Sequence, residues 1–171
     1  MFRIVVAAAV VAAGAAPAAE PSKAEVKKLA IAMRDAMMTN DVGTILDHTY
    51  PALVEQMGGR KKALETIESM LKVMKARGIE FKKYKLGDPE EFVTEGDNTF
   101  IVVSSVLEMA SPMGTIRGRS FLLGISGDGG KTWKFADGAG VNRNGEADKV
   151  LPKLPAKLKL PPDSKPELVK E

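Results

Sequence analysis

His48 is the only histidine in the chain, in the run Leu46-Asp47-His48-Thr49-Tyr50-Pro51. An imidazole beside a carboxylate has the chemistry of a general base, and a nearby phenol can supply a proton. The spacing works against that use. Neighbouring residues of a helix point in different directions, so Asp47 cannot simply orient His48, and a cap or surface role is the plainer expectation.

A second set lies downstream. If Ser111-Pro112-Met113-Gly114 turns a hairpin, Glu108 faces Arg117, Val106 faces Arg119, and Asp137 is expected on the same face. Such a group could hold an anionic or hydroxylated ligand at a pocket mouth. It could equally be a cross-strand ion pair, worth about 0 to 1 kcal/mol when exposed. His48, Tyr50, Glu108, Arg117, Arg119 and Asp137 are therefore the ligand-binding candidates, and no residue is assigned as catalytic.

Other chemistry is excluded by what is missing. With no cysteine, disulfides, thiolate nucleophiles and Cys-ligated zinc are ruled out, and a single histidine rules out a multi-histidine metal site. No metal and no cofactor is expected. A formal charge of +3, from 25 Lys and Arg against 22 Asp and Glu, is too mild for a nucleic-acid binder.

The elements that must position the candidates follow from periodicity. Residues 1–19 carry Arg3, an uncharged run and Ala16-Pro17-Ala18-Ala19, the pattern of a secretory signal cut after Ala18 or Ala19. The run is too short and too alanine-rich for a stable membrane span, so a periplasmic or secreted protein is expected. The domain proper is placed at 22–140, followed by a Pro- and Lys-rich tail at 141–171.

Ser22 to Glu25 reads as a capping box that opens a helix to about Met38. A shorter helix follows Asp41, with a further helical piece after Pro51 that Gly58-Gly59 ends. Arg60 to Arg77 has the clearest amphipathic stripe, and Gly78 stops it. From Ile79 the period falls to two, with a bulge expected near Lys82-Lys83. Long strands at 99–110 and 115–126 and a last one at 132–137 complete an antiparallel sheet. Three N-terminal helices packed on a strongly curved sheet make an α+β cone or roll.

Phase sorts the sheet into two faces. A five-residue loop sets Trp133 opposite Ile125 and Phe135 opposite Leu123. Phe100, Val102, Val106, Phe121, Leu123, Ile125, Trp133 and Phe135 then share the face expected to meet the helices. The back face, with Ile101, Val103, Leu107, Met109, Ile116 and Leu122, is too apolar for water, so pairing of two chains through it is expected.

This element order, with Tyr50-Pro51-Ala52-Leu53-Val54 and the Gly58-Gly59 break, resembles the nuclear transport factor 2-like superfamily (SnoaL-like, cystatin-like cones) over residues 23–138. The resemblance implies a curved sheet around a long helix, a pocket at the wide end, and frequent dimerisation through the outer sheet face. No inward tyrosine stands on the first helix where the isomerases of that superfamily carry one, so no catalytic residue transfers. Ser126-Gly127-Asp128-Gly129-Gly130-Lys131-Thr132-Trp133 is similar to the Asp-box of sialidases. That box repeats in propellers and occurs once here, so Ser126, Asp128, Gly130 and Trp133 are expected to build a stable hairpin tip.

The resulting expectation is a homodimeric, non-catalytic exported domain that binds a small apolar ligand or a partner protein. The alternatives are a small-molecule isomerase, dehydratase or hydrolase using the cone pocket, and an envelope adaptor acting through the tail. Five prolines from Pro152 to Pro166 favour a flexible basic tail over a docked strap.

Overall fold

The structure is a computed structural model that describes residues 21–142, 149–162 and 164–169. The expected signal segment lies outside the described residues. Among the described residues, four helical segments precede the sheet: α1 (Lys23–Thr39), α2 (Val42–His48), α3 (Pro51–Gln56) and α4 (Gly59–Ala76). The count exceeds the expected three because the piece opened by Pro51 stands as its own helix. Ser22 Oγ accepts from the Glu25 amide at α1, and Asp41 Oδ1 accepts from the Thr44 amide at α2. Gly58 and Gly59, at φ of +92° and +83°, turn the chain between α3 and α4.

Six strands form one open antiparallel sheet: β1 (Glu80–Pro89), β2 (Val93–Glu95), β3 (Asn98–Ser111), β4 (Gly114–Ser126), β5 (Lys134–Asp137) and β6 (Glu167–Val169). Its main order is β1-β3-β4-β5; β2 pairs with β3, and β6 joins β4. The β3–β4 hairpin has the expected register, with Phe100 opposite Ile125 and Glu108 opposite Arg117. A register shift falls between Phe81 and Lys83, where the change of phase placed a bulge.

The third strand differs. Lys134, not Trp133, is opposite Ile125, and Phe135 is opposite Gly124. Asp128 takes the amides of Lys131 and Thr132, which holds one more residue in the loop than a five-residue turn allows. That single residue moves Phe135 to the other face. Gly124 makes the room: a Cβ there would lie 2.8 Å from Ile101 Cγ2 and 3.4 Å from Phe135 Cε1.

The helices accordingly cover the face assigned as the back. Val26, Ala30 and Met33 of α1 pack with Ile101, Val103, Leu122, Trp133 and Phe135. This corrects the face assignment and removes the premise for pairing through that face, since Ile101, Val103 and Leu122 are already buried within one chain. Of the described helices, Phe100, Val102, Phe121, Leu123 and Ile125 meet only Leu53 of α3 and Val141 of the short helix after β5, not a long helix.

The tail takes that place. After α5 (Gly138–Asn142), Leu151, Leu154, Leu158 and Leu160 pack on the Phe121 face. Ser164 Oγ then accepts from the Arg119 amide and donates to the Arg119 carbonyl, and β6 pairs along β4 from Thr115 to Arg117. The described part of the tail is thus a docked strap, contrary to the flexible reading. Its prolines prevent a helix but not an extended path, and leucines spaced three, four and two residues apart give that path an apolar side.

Candidate functional site

The sequence candidates do not converge. His48 ends α2 and is partly buried; Lys134 Nζ donates to the neighbouring Asp47 carbonyl. Loss of water around His48, reinforced by the Lys134 charge, holds its pKa below the ordinary histidine value. Tyr50 donates its amide to the Phe135 carbonyl at 2.8 Å and packs against the Phe121-face core. Glu108 and Arg117 form the expected cross-strand pair, with Nε donating at 3.0 Å and Nη2 at 2.9 Å.

Asp137 is placed elsewhere. It lies opposite Leu122, so it shares the helical face rather than the face of Glu108 and Arg119. Its Oδ1 accepts the Ala139 amide at 2.8 Å at the start of α5. The six candidates therefore occupy both sheet faces and opposite ends of β4.

The Asp-box-like loop has the geometry its residues imply. Asp128 accepts from the Lys131 and Thr132 amides, the Thr132 hydroxyl and the Ser126 hydroxyl, and Trp133 Nε1 donates to the Gly130 carbonyl at 3.0 Å. These bonds, those from Thr132 above all, hold the Asp128 carboxyl far below the usual carboxylate range. Every acceptor is thereby occupied within the turn, which makes it a brace for Trp133 and Phe135 rather than a binding group.

Besides a cleft of about 630 Å³ between α4 and the start of β1, a concave space lies at the β5 edge, where the two faces meet. A cleft of about 500 Å³ opens there between Met33 and Met37 of α1, Ile45 of α2, Met57 beyond α3, Ile67 of α4 and Phe135 of β5. Thr49, Gln56 and Asp137 are the polar side chains on its described wall. Neither His48 nor Tyr50 is among its lining residues. Among the described residues, no group of three or more His, Asp or Glu could hold a metal ion.

One polar residue escaped the sequence reading. Tyr84, on β1, is 8% exposed, with Ser105 beside its hydroxyl. Burial, with the charge of Asp137, pushes its pKa up to about 12. Its position two residues beyond the bulge was legible, but the approach of Asp137 depends on the one-residue loop extension. Compared with protein-family models, with curated proteins and with solved structures, the chain matches none.

Proposed function

We propose that the chain is an exported, non-catalytic α+β cone domain of the nuclear transport factor 2-like kind that holds a small, largely apolar molecule in the cleft at the β5 edge. The observation that carries this reading is the character of the cleft. Its volume of about 500 Å³ lies within the range of small-molecule sites, and its wall is mainly aliphatic and thioether. Three methionines, Met33, Met37 and Met57, give a surface that adapts to different shapes. The charged group on the described wall, Asp137, is engaged in capping α5.

The order of helices before an antiparallel sheet supports the cone, and the apolar run in residues 1–19 supports export. A general-base role for His48 has no support in this arrangement, because the cleft wall does not include it. Fluorescence titration with the neutral probe N-phenyl-1-naphthylamine tests the reading. Saturable binding at one site per chain is expected, and Met37→Trp, which fills the cleft, should abolish it. Linear, unsaturable fluorescence, or saturation unaltered by M37W in a folded protein, would overturn the proposal.

A further inference from the structure

We propose that the strap side of the sheet is a docking face for an anionic lipid surface. Leucine and lysine interleave along the tail. With Leu151, Leu154, Leu158 and Leu160 turned onto the Phe121 face, the intervening Lys153, Lys157 and Lys159 are exposed on the outside of the strap. Lys165, just before β6, is exposed as well.

The sheet adds to the same side. Lys83 lies opposite Glu108, and Lys85 opposite Val106, which in turn faces Arg119. Directly opposed residues share a face, so these three cations stand beyond the strap on the Phe121 face, and all are exposed. Glu108 is already paired with Arg117. Among the described residues, none of the strap lysines, Lys83, Lys85 or Arg119 makes an ion pair.

The helical side interleaves its cations with acids. Lys23, Lys27 and Arg60 each pair across elements with an acid: Glu91, Asp88 and Asp47. Among the described residues, Lys28, Lys61, Lys62, Lys72, Lys75 and Arg77 make no ion pair there either, but Glu25, Glu55, Glu65 and Glu68 stand among them, whereas the strap side sets seven unpaired cations against Glu80 and Glu167, so the overall charge of +3 understates the field on that side. The exposed cations are carried by a sheet face and a strap lying on it, and neither cleft includes them in its wall. Among the described residues, no aromatic side chain interleaves them as a base-stacking platform would require. A spread of lysines without groove or aromatics matches the headgroup plane of an anionic bilayer, where each Lys or Arg near the surface contributes attraction that salt screens.

The test is co-sedimentation of the chain from Glu20 onward, which retains every described residue, with vesicles of phosphatidylcholine alone or with about one third phosphatidylglycerol. Binding to the anionic vesicles only, lost at high salt, is expected. The variant K153Q/K157Q/K159Q/K165Q keeps all four leucines and should bind at least ten-fold more weakly with an unchanged melting curve. A matched variant of the helical side, K28Q/K61Q/K62Q/K72Q, has the same net charge and should bind like the parent. Equal loss in both variants would reduce the effect to net charge and overturn the assignment of a face. So would absence of vesicle binding, including the case in which heparin or DNA is retained.

Discussion

The two faces of the sheet are closed by different means. On the Leu122 face a helix, α1, lays Val26, Ala30 and Met33 over Ile101, Val103 and Phe135. On the Phe121 face an extended strap from the far end of the chain sets one leucine after another onto Phe100, Phe121 and Leu123. A helix has a fixed diameter and stands off the sheet by its side chains, so gaps remain where its stripe ends. The cleft opens at such a place, between Met33, Met37 and the β5 edge. A strap follows the sheet residue by residue, and its reward is a sealed core with exposed lysines at the intervening positions. Space for a ligand at the β5 edge and charge for a surface on the strap thus arise in different places, each from its kind of cover.

Removing the strap gives the largest expected effect. Deleting residues 149–171 would bare Phe100, Val102, Phe121, Leu123 and Ile125, all nearly fully buried. Each contributes about 1.5–3 kcal/mol by burial, and together they rival the whole stability of a domain this size. The truncated chain should show no cooperative thermal transition by circular dichroism, and Leu151→Ala alone should cost about 2–5 kcal/mol in urea. A truncated chain that still melts cooperatively within a few degrees of the parent would show the strap to be an ornament.

The next experiment separates the faces. Phe121→Ala and Phe135→Ala should each cost about 3–5 kcal/mol, since both rings are buried. Only Phe135 lines the cleft, so only its loss should alter binding of the neutral probe. Equal changes in probe affinity would erase the distinction between a ligand side and a sealed side.

Alkaline titration gives a somewhat smaller effect. Tyr84 has its folded pKa raised from about 10 to about 12. The unfolded chain then loses the phenolic proton first, so stability is intact below pH 10 and falls as pH rises to 12, by about 2–3 kcal/mol. Unfolding followed across that window should lose this slope in Tyr84→Phe. An identical slope in Y84F would place the loss elsewhere and count against a buried phenol under the helical cover.

Much of this was legible because it is local. Ser22, Asp41, Pro51 and Gly78 mark the helix boundaries by chemistry that acts within a few residues, and the β3–β4 register follows from one turn. The faces were legible as sets but not as partners. Alternation along 100–107 and 121–125 shows two apolar faces and carries no sign of which receives the helices. That choice rests on the phase of Phe135, which one extra residue in the Asp128 loop reverses. The strap was obscured for another reason: proline content excludes a helix, while docking depends on partners more than twenty residues away. The cleft was not legible at all, since its wall draws on five separate helices and β5.

The smallest expected effect concerns the helix that reads best in sequence. The stripe of Ala63, Leu64, Ile67, Met70, Leu71 and Met74 is the most regular in the chain, yet α4 packs chiefly on α2 and α3 rather than on the sheet. Ala63 is its buried residue, while Met70 is 54% and Val73 48% exposed. A periodic pattern fixes the helix but not how much of its stripe finds cover, because that depends on where its ends are tethered. Met70→Ser should therefore change stability by no more than about 0.5 kcal/mol, the range of surface substitutions, whereas Met33→Ser on α1 removes a buried side chain. Urea denaturation of the pair tests this. A loss at Met70 approaching that at Met33 would mean that α4 is covered in solution as deeply as α1, and that the contrast between a firmly held helix and an overhanging one is mistaken.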